Sequence, residues 1–175
     1  VAPLLYQGAE MARRGIGECW SDKSTYARYY ESGIDSLFDF QFSQDSGVIG
    51  SVVKGSKPAS AFAEACAEEE SLYTSFNPSF VNAPFYTNHD TARSAGYYAY
   101  DDGSHTKLAM ALNLMQTGNS FVYYGEELGM KGSGKDENKR APMYWTASED
   151  ALKASMTQGP PGMGKVEHKF GSYAE

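Results

Sequence analysis

The sequence is poor in cysteine, in positive charge and in long apolar runs. Only Cys19 and Cys66 occur in 175 residues, so neither a disulfide framework nor a cysteine-ligated zinc site is predicted. The formal net charge of −7 disfavours nucleic acid and anionic membranes as partners, because both attract basic surfaces. No apolar run is long enough to span a membrane. These scarcities leave a globular protein whose partner is neither nucleic acid nor membrane.

Aromatic residues, in contrast, are abundant. The chain has 13 Tyr and 9 Phe, with 41% hydrophobic and 21% charged residues overall, which is typical of a folded domain rather than a disordered one. Aromatic faces stack on flat apolar partners, including sugar rings, but they also fill ordinary cores. We expect most of them in the core, with the two cysteines as small core residues in a strand and a helix.

Hydrophobic periodicity alternates between strand and helix along the chain. Strand patterns lie at 16–20, 34–40, 81–86 and 121–124. Helix patterns lie at 4–14, at 58–76 with four glutamates (Glu64, Glu68, Glu69, Glu70) on a wet face, and at 104–118 with Ser104 as N-cap and Leu108, Leu112 and Met115 on one face. Alternation of this kind predicts an α/β fold with a parallel sheet. A complete eight-unit barrel needs about 250 residues, so this chain fits half of such a barrel. It also fits a complete small doubly wound sheet.

Polar side chains follow two of the predicted strands. The third strand pattern ends in Asn88, His89 and Asp90, and the first ends at Glu18. Parallel strands place chemistry at their carboxyl ends, and crowded polar groups there are costly to bury without a polar partner. The residues alone leave two interpretations open, a polar strand-to-loop junction and a functional site.

Four stretches occur in an order that resembles a known family. Residues 16–20 (IGECW), 85–90 (FYTNHD), 123–130 (YYGEELGM) and 138–145 (NKRAPMYW) are similar to the second half of the catalytic barrel of the α-amylase family, glycoside hydrolase family 13. The resemblance runs from about residue 15 to about residue 146. It implies an α/β fold of the TIM (β/α)8 type, of which this chain would hold only the second half, about strands 5–8 with their helices.

The resemblance also implies roles for individual residues. Glu18 matches the general acid/base at the end of the fifth strand, and Asp90 matches the transition-state stabiliser at the end of the seventh. Arg140 matches a loop that borders the substrate cleft, together with Pro142, Met143 and Trp145. Substrate-binding positions are implied for His89, Asn88, Arg93, Trp20 and Arg140.

The chemistry of glycoside hydrolysis explains these residue types. A glycosidic oxygen is a poor leaving group, so it needs a proton from a carboxylic acid whose pKa burial has raised. Glu18 lies between Ile16 and Trp20, where an apolar pocket is expected. A retaining enzyme also needs a carboxylate nucleophile about 5–5.5 Å from the acid. Asp90 would be a further fixed anion for the developing positive charge.

Several parts of the family pattern are absent. No Arg-x-Asp sequence, the family's nucleophile motif, occurs anywhere, and His89, His105 and His168 are the only histidines, so the first-strand motif is missing too. We therefore expect residues 1–175 to be a partial catalytic barrel that lacks the N-terminal half-barrel and the C-terminal β-sandwich. We expect it to be inactive alone and to pack against the missing half. No cofactor is expected here; a calcium ion, if the protein has one, would lie in the missing half.

These features lead to three hypotheses. The first is a retaining α-glucan hydrolase that cleaves α-1,4 bonds of starch or maltooligosaccharides, acting extracellularly or at a bacterial cell surface. The alternative is a non-catalytic member that only binds glucan. A metal site at 88–90 is the third, disfavoured because three adjacent residues seldom ligate one ion. Of Glu126 and Glu127, we expect one to brace the end of the barrel.

Overall fold

A parallel β-sheet lies at the centre of the computed structural model, which describes residues 15–98 and 103–143. Strands β1 (Ile16–Gly17), β2 (Ser36–Asp39) and β3 (Ala83–Pro84) are adjacent in that order, and both pairs are parallel. An isolated parallel bridge joins Phe85 to Phe121. The predicted α/β fold is thus confirmed, although the strand predicted at 121–124 is reduced to this bridge.

The strands are connected by helices, as parallel pairing requires. The helices are α1 (Lys23–Ala27), α2 (Val48–Val53), α3 (Ser60–Phe76), α4 (Ser104–Leu114) and α5 (Asp136–Lys139), with 3-10 turns at Arg28–Ser32 and Ser94–Gly96. The long predicted helix at 58–76 is confirmed as α3. The helix predicted at 4–14 lies outside the described residues. Within 15–98 and 103–143, no helix has the length and apolarity needed to cross a membrane.

Side chains of β2 alternate between two faces of the sheet. Leu37 and Asp39 point towards α1 and α3, the outer face, where Leu37 packs among buried tyrosines. Phe38 and Phe40 point to the opposite, inner face, where both rings meet Phe85 edge-on at centroid distances of 5.6 and 5.0 Å. The inner face is therefore aromatic, and the outer face carries a buried carboxylate.

Helix α2 was not predicted. Its sequence, VIGSVV, is short and rich in β-branched residues, which favour strands. It is helical because Ile49 and Val53 are buried against Phe42, Tyr86 and Ala109. Packing against the core has overridden local preference.

Two details of α4 differ from the prediction. Gly103, with φ +105°, precedes the helix, so Ser104 is its first residue rather than its N-cap. The buried face consists of Thr106, Ala109 and Asn113, whereas two of the predicted face residues, Leu108 and Met115, are 49% and 72% exposed. Asn113 selects this face because its Nδ2 donates to the carbonyl of Phe121 at 3.1 Å.

The wet face predicted for α3 is wrong at Glu69. Glu64, Glu68 and Glu70 are exposed, but Glu69 is only 4% exposed, and its Oε1 lies within hydrogen-bonding distance of the Tyr73 hydroxyl. A carboxylate tolerates such burial only with hydrogen-bonding partners or a proton. Both cysteines are partly buried, Cys66 within α3 as predicted and Cys19 just beyond the end of β1.

Candidate active site

The predicted catalytic carboxylates lie at one edge of the sheet. Glu18 directly follows β1, and the segment that carries Asp90 follows β3. Because β1, β2 and β3 are parallel, their carboxyl ends share an edge, with β2 between the two carboxylates. This is the edge at which α/β folds gather their functional residues.

Asn88 shapes the turn that presents its neighbours. Its Oδ1 accepts hydrogen bonds from the backbone N–H groups of Asp90 at 2.9 Å and Thr91 at 3.0 Å, and its own N–H donates to Thr91 Oγ1 at 2.9 Å. An asparagine at the start of such a turn replaces a backbone partner. In this chain Asn88 fixes the loop, and its contact with substrate remains a prediction.

Asp90 is held by two cations from a distant segment. Arg140 Nη2 lies 2.5 Å from Asp90 Oδ1, and Lys139 Nζ donates to the Asp90 backbone carbonyl at 2.8 Å. Arg140 Nε donates to the His89 carbonyl at 3.2 Å, and His89 Nε2 lies 3.3 Å from Asp90 Oδ2. The Asp90 side chain is still 36% exposed, so its carboxylate is fixed and accessible at once.

Arg93 fastens the segment that delivers these cations, which we name the 131–140 loop. The backbone N–H of Arg93 donates to the carbonyl of Gly132 at 2.9 Å, and the Arg93 Nε donates to the carbonyl of Lys139 at 3.1 Å. Its guanidinium lies 4.5 and 4.8 Å from the ring centroids of Tyr123 and Tyr124. Arg93 is fully buried, so within the described residues it acts through the loop; substrate contact remains a prediction.

Glu126 is the buried carboxylate that pairs with Arg93. The Glu126 carboxylate is 2% exposed, lies 3.7 Å from Arg93 Nη1 and accepts hydrogen bonds from the N–H and the hydroxyl of Ser94. Burial raises the pKa of Glu126, while the Ser94 hydroxyl and the charge of Arg93 act in the opposite direction. Glu127 is exposed. Glu126 is thus the bracing residue of the two.

Glu18 has a different environment. It is exposed, and Ile16 and Trp20 beside it are 43% and 56% exposed. The Trp20 ring stacks on Phe40 with centroids 5.0 Å apart. The enclosed apolar pocket expected between Ile16 and Trp20 is therefore not formed by residues 15–98 and 103–143 alone. Glu18 instead borders an open cavity, which Cys19, Ile34 and Leu37 also line.

Sequence reasoning missed the part played by Lys139. Lys139 is only 8% exposed; its ammonium bonds Asp90, and its carbonyl accepts from Arg93 and, at 3.2 Å, from Tyr123 Oη. The one signal available was its position next to Arg140 in the 138–145 stretch. Trp145 of that stretch lies outside the described residues. In the described part of the chain, no three His, Cys, Asp or Glu side chains are grouped to hold a metal ion.

Comparison with known proteins identifies the family. The chain matches the α-amylase catalytic-domain model over residues 6–162. It is 35% identical over 133 residues to Alpha-amylase 3 of Dictyoglomus thermophilum, which covers 75% of this chain and 25% of that protein. Eubacterium rectale Amy13B superposes with a TM-score of 0.80 at 40% identity, covering 91% of this chain and 31% of that one.

An α-amylase from Geobacillus thermoleovorans, solved in complex with acarbose, superposes with a TM-score of 0.58 at 26% identity, covering 79% of this chain and 31% of that one. The chain thus spans about a quarter of the curated relative and under a third of the solved chains. The family match includes β1 to β3, the 85–90 segment and the 131–140 loop. By these matches the chain belongs to the α-amylase family, and its parallel sheet is part of that family's TIM-barrel catalytic domain.

Proposed function

We propose that this chain is the second half, about strands 5–8, of the barrel of a retaining α-glucan hydrolase that cleaves α-1,4 bonds of starch or maltooligosaccharides. The observation that carries the proposal is the fixed but accessible carboxylate of Asp90, paired with Arg140 at the carboxyl edge of the sheet. TIM-barrel enzymes hold their active sites at this edge. The relatives named above are α-amylases, one of them solved with acarbose.

Asp90 would stabilise the transition state. Cleavage develops positive charge on the sugar, and a carboxylate held in place before the reaction stabilises that charge without having to reorganise. The Arg140 guanidinium pairs with the Asp90 carboxyl group and fixes its direction. The His89 side chain is 54% exposed, so its imidazole is available to a sugar hydroxyl.

Glu18 would be the general acid/base. Its exposure in this chain means that side chains from the other half of the barrel must complete the apolar pocket that an acid of raised pKa requires. The same half would supply the nucleophilic aspartate, about 5–5.5 Å from Glu18, and any calcium ion. We therefore propose that this chain packs against the missing N-terminal half of the barrel. We also propose that a β-sandwich lies C-terminal to this chain. Because polymeric α-glucans are digested outside cells, we place the protein extracellularly or at a bacterial cell surface.

A second candidate is a glucan-binding protein without hydrolysis. The observation in its favour is Trp20, which is 56% exposed and is supported from behind by Phe40. Such a ring offers a flat face on which a sugar can stack. The intact Glu18 and Asp90 favour the hydrolase over this alternative.

The test is maltoheptaose hydrolysis by the longer protein that contains this sequence. We compare the wild type with Glu18→Gln, Asp90→Asn and a control, Glu64→Gln, which changes an exposed carboxylate on α3. Removing a general acid costs about 10²–10⁴-fold in rate, and we expect losses at least that large for Glu18→Gln and Asp90→Asn. The control should be unchanged, and the product should keep its anomeric configuration.

Other results would contradict parts of the proposal. Binding of maltoheptaose without cleavage by the wild type would support the glucan-binding candidate. An unchanged rate in Glu18→Gln would rule out Glu18 as the acid, and an unchanged rate in Asp90→Asn would rule out Asp90 as the stabiliser. The 175-residue chain alone should not hydrolyse the substrate, because it contains no nucleophile motif.

A further inference from the structure

The outer face of the sheet contains a buried row of hydrogen-bonded side chains that the proposed chemistry does not use. Glu69 Oε1 lies 3.1 Å from Tyr73 Oη, Tyr73 Oη lies 2.7 Å from Tyr26 Oη, and Tyr26 Oη lies 3.0 Å from Asp39 Oδ1. All four residues are at most 4% exposed. A carboxyl group therefore lies at each end of a two-tyrosine bridge, and all four side chains are buried.

Proton counting constrains this row. Three oxygen–oxygen hydrogen bonds need three protons, and Tyr26 and Tyr73 supply one each. The third proton must come from a carboxyl group. Asp39 already accepts from the Gln41 N–H at 3.0 Å, from Asn82 Nδ2 at 2.9 Å and from the Tyr26 hydroxyl. Three donors on one carboxyl suit the ionised form, which only accepts.

We propose that Glu69 is a buried proton-binding site, neutral at physiological pH, that donates its proton to Tyr73. The row is then polarised in one direction: Glu69 donates to Tyr73, Tyr73 to Tyr26, and Tyr26 to the Asp39 carboxylate. The row carries one negative charge, on Asp39, and one carboxylic proton, on Glu69. If all three protons moved by one place along the row, Asp39 would become protonated and Glu69 ionised. The row would neither gain nor lose a proton.

A small cavity beside Glu69 gives independent support for a site there. Glu69, Tyr73, Asn82 and Gln116 are among the residues that line it, and it has room for about one water molecule. Gln116 is 8% exposed, and its Oε1 has no hydrogen-bond partner among the described residues. A water molecule there would donate to Gln116 Oε1 and bond the second oxygen of Glu69. The ligands we assign to the site are thus one proton and one water molecule.

The charges around Glu69 agree with this polarity. Burial, the negative charge of Asp39 and a hydrogen bond with the Asp39 side chain raise the pKa of Glu69 to about 11, whereas a Tyr73 hydroxyl that donates to Glu69 acts in the opposite direction. Lys23 on α1 acts in the opposite direction, but its ammonium pairs with Glu68 at 2.7 Å. The titratable groups that face or flank Glu69 are Asp39 from β2, Lys23 and Tyr26 from α1, Tyr30 from the 3-10 turn, and Cys66, Glu68, Glu70 and Tyr73 from α3.

A retained proton makes folding stability depend on pH. Above pH 4.5 the unfolded chain releases this proton, whereas the folded chain keeps it up to about pH 11. The contribution of Glu69 to stability is therefore fully present below pH 4.5 and is lost as pH rises towards 11. Within that window the folded-to-unfolded ratio falls by about tenfold per pH unit from this group.

The test compares two isosteric amides in the full chain by urea unfolding between pH 5 and pH 9. In Glu69→Gln the amide N–H replaces the donated O–H, so we expect a folded protein that has lost the tenfold-per-unit slope. In Asp39→Asn the amide cannot serve three donors, so we expect unfolding at lower urea at every pH. Glu64→Gln, an exposed carboxylate on the same helix, should keep the wild-type slope.

A measurement on the unmodified chain makes the test independent of variant folding. With ¹³C-labelled glutamate side chains, we expect one protonated carboxyl signal at pH 8 in the wild type and in Glu64→Gln, and none in Glu69→Gln. A wild type without that signal would overturn the proposal, as would a Glu69→Gln variant that keeps the slope. A destabilised Glu69→Gln beside an unaffected Asp39→Asn would overturn it too, because the proton would then belong to Asp39.

Discussion

The two carboxylates proposed for catalysis lie at the same edge of the sheet in opposite surroundings. Asp90 is bonded by Arg140 and Lys139, which the buried Arg93 holds in place. Glu18 is exposed and lies between exposed apolar residues. The Asp90 side is thus preorganised by contacts within this chain, whereas the described residues leave Glu18 exposed. A carboxylate that stabilises the transition state needs a fixed position, and a general acid needs an enclosed pocket. The described residues provide the fixed position of Asp90.

Loss of Arg93 should weaken the Asp90 side of the site more than any other change proposed here. We expect Arg93→Met to lower the free energy of unfolding by about 3–5 kcal/mol, because it leaves Glu126 as an uncompensated buried carboxylate and frees the 131–140 loop. Urea unfolding would measure this. Arg28→Met, at an exposed position, is the matched control. The double variant Arg93→Met/Glu126→Gln should recover part of the loss; no recovery would show that Glu126 is not the source of the cost.

A smaller effect is expected at Arg140. The Arg140 and Asp90 side chains are 44% and 36% exposed, so solvent screens their attraction and Arg140→Gln should cost about 0.5–1 kcal/mol. The cost should shrink at high salt. Urea unfolding at low and high ionic strength measures both. Equal losses at the two salt concentrations would mean that the side chain acts by packing rather than by charge.

The smallest effect is expected at Glu18. Because Glu18 is exposed, Glu18→Gln in this chain should change the free energy of unfolding by less than about 0.5 kcal/mol. In the longer protein the same change should abolish hydrolysis. A loss above about 1 kcal/mol in the isolated chain would show that Glu18 already has partners here, and the contrast with Asp90 would fail.

Sequence periodicity predicted the three strands and α3 because each has a long or strongly apolar pattern. It failed where packing opposed local preference. Ile49 and Val53 favour a strand but form a helix that fills the core, and Asn113 turned α4 away from its leucine face. Glu69 was misplaced because periodicity registers a glutamate as polar. It does not show that Tyr73, the hydrogen-bonding partner of Glu69, is itself bonded to Tyr26, which is 47 residues from Tyr73.

The site was predicted in part. Residues 88–90 follow one strand, so their proximity is local and visible in the sequence. The pairing of Arg140 with Asp90 spans 50 residues, and only the resemblance placed that loop at the cleft. Burial of Arg93 and Lys139 was not predicted, because charged residues are seldom buried unless they have partners. Those partners are backbone carbonyls, together with Glu126 for Arg93 and Asp136 for Lys139, and composition does not reveal them.

The attachment of the 131–140 loop at both ends has a practical consequence for protein engineering. Arg93 binds the carbonyls of Gly132 and Lys139, so the two ends of the loop are fixed next to each other. Between them, residues 133–135 are exposed and precede α5, whose Asp136 pairs with Lys139 and Arg140. Added length there would extend into solvent with little entropic penalty. The tip of this loop is therefore a natural place to graft a reporter peptide or a second binding module while Arg140 stays on Asp90.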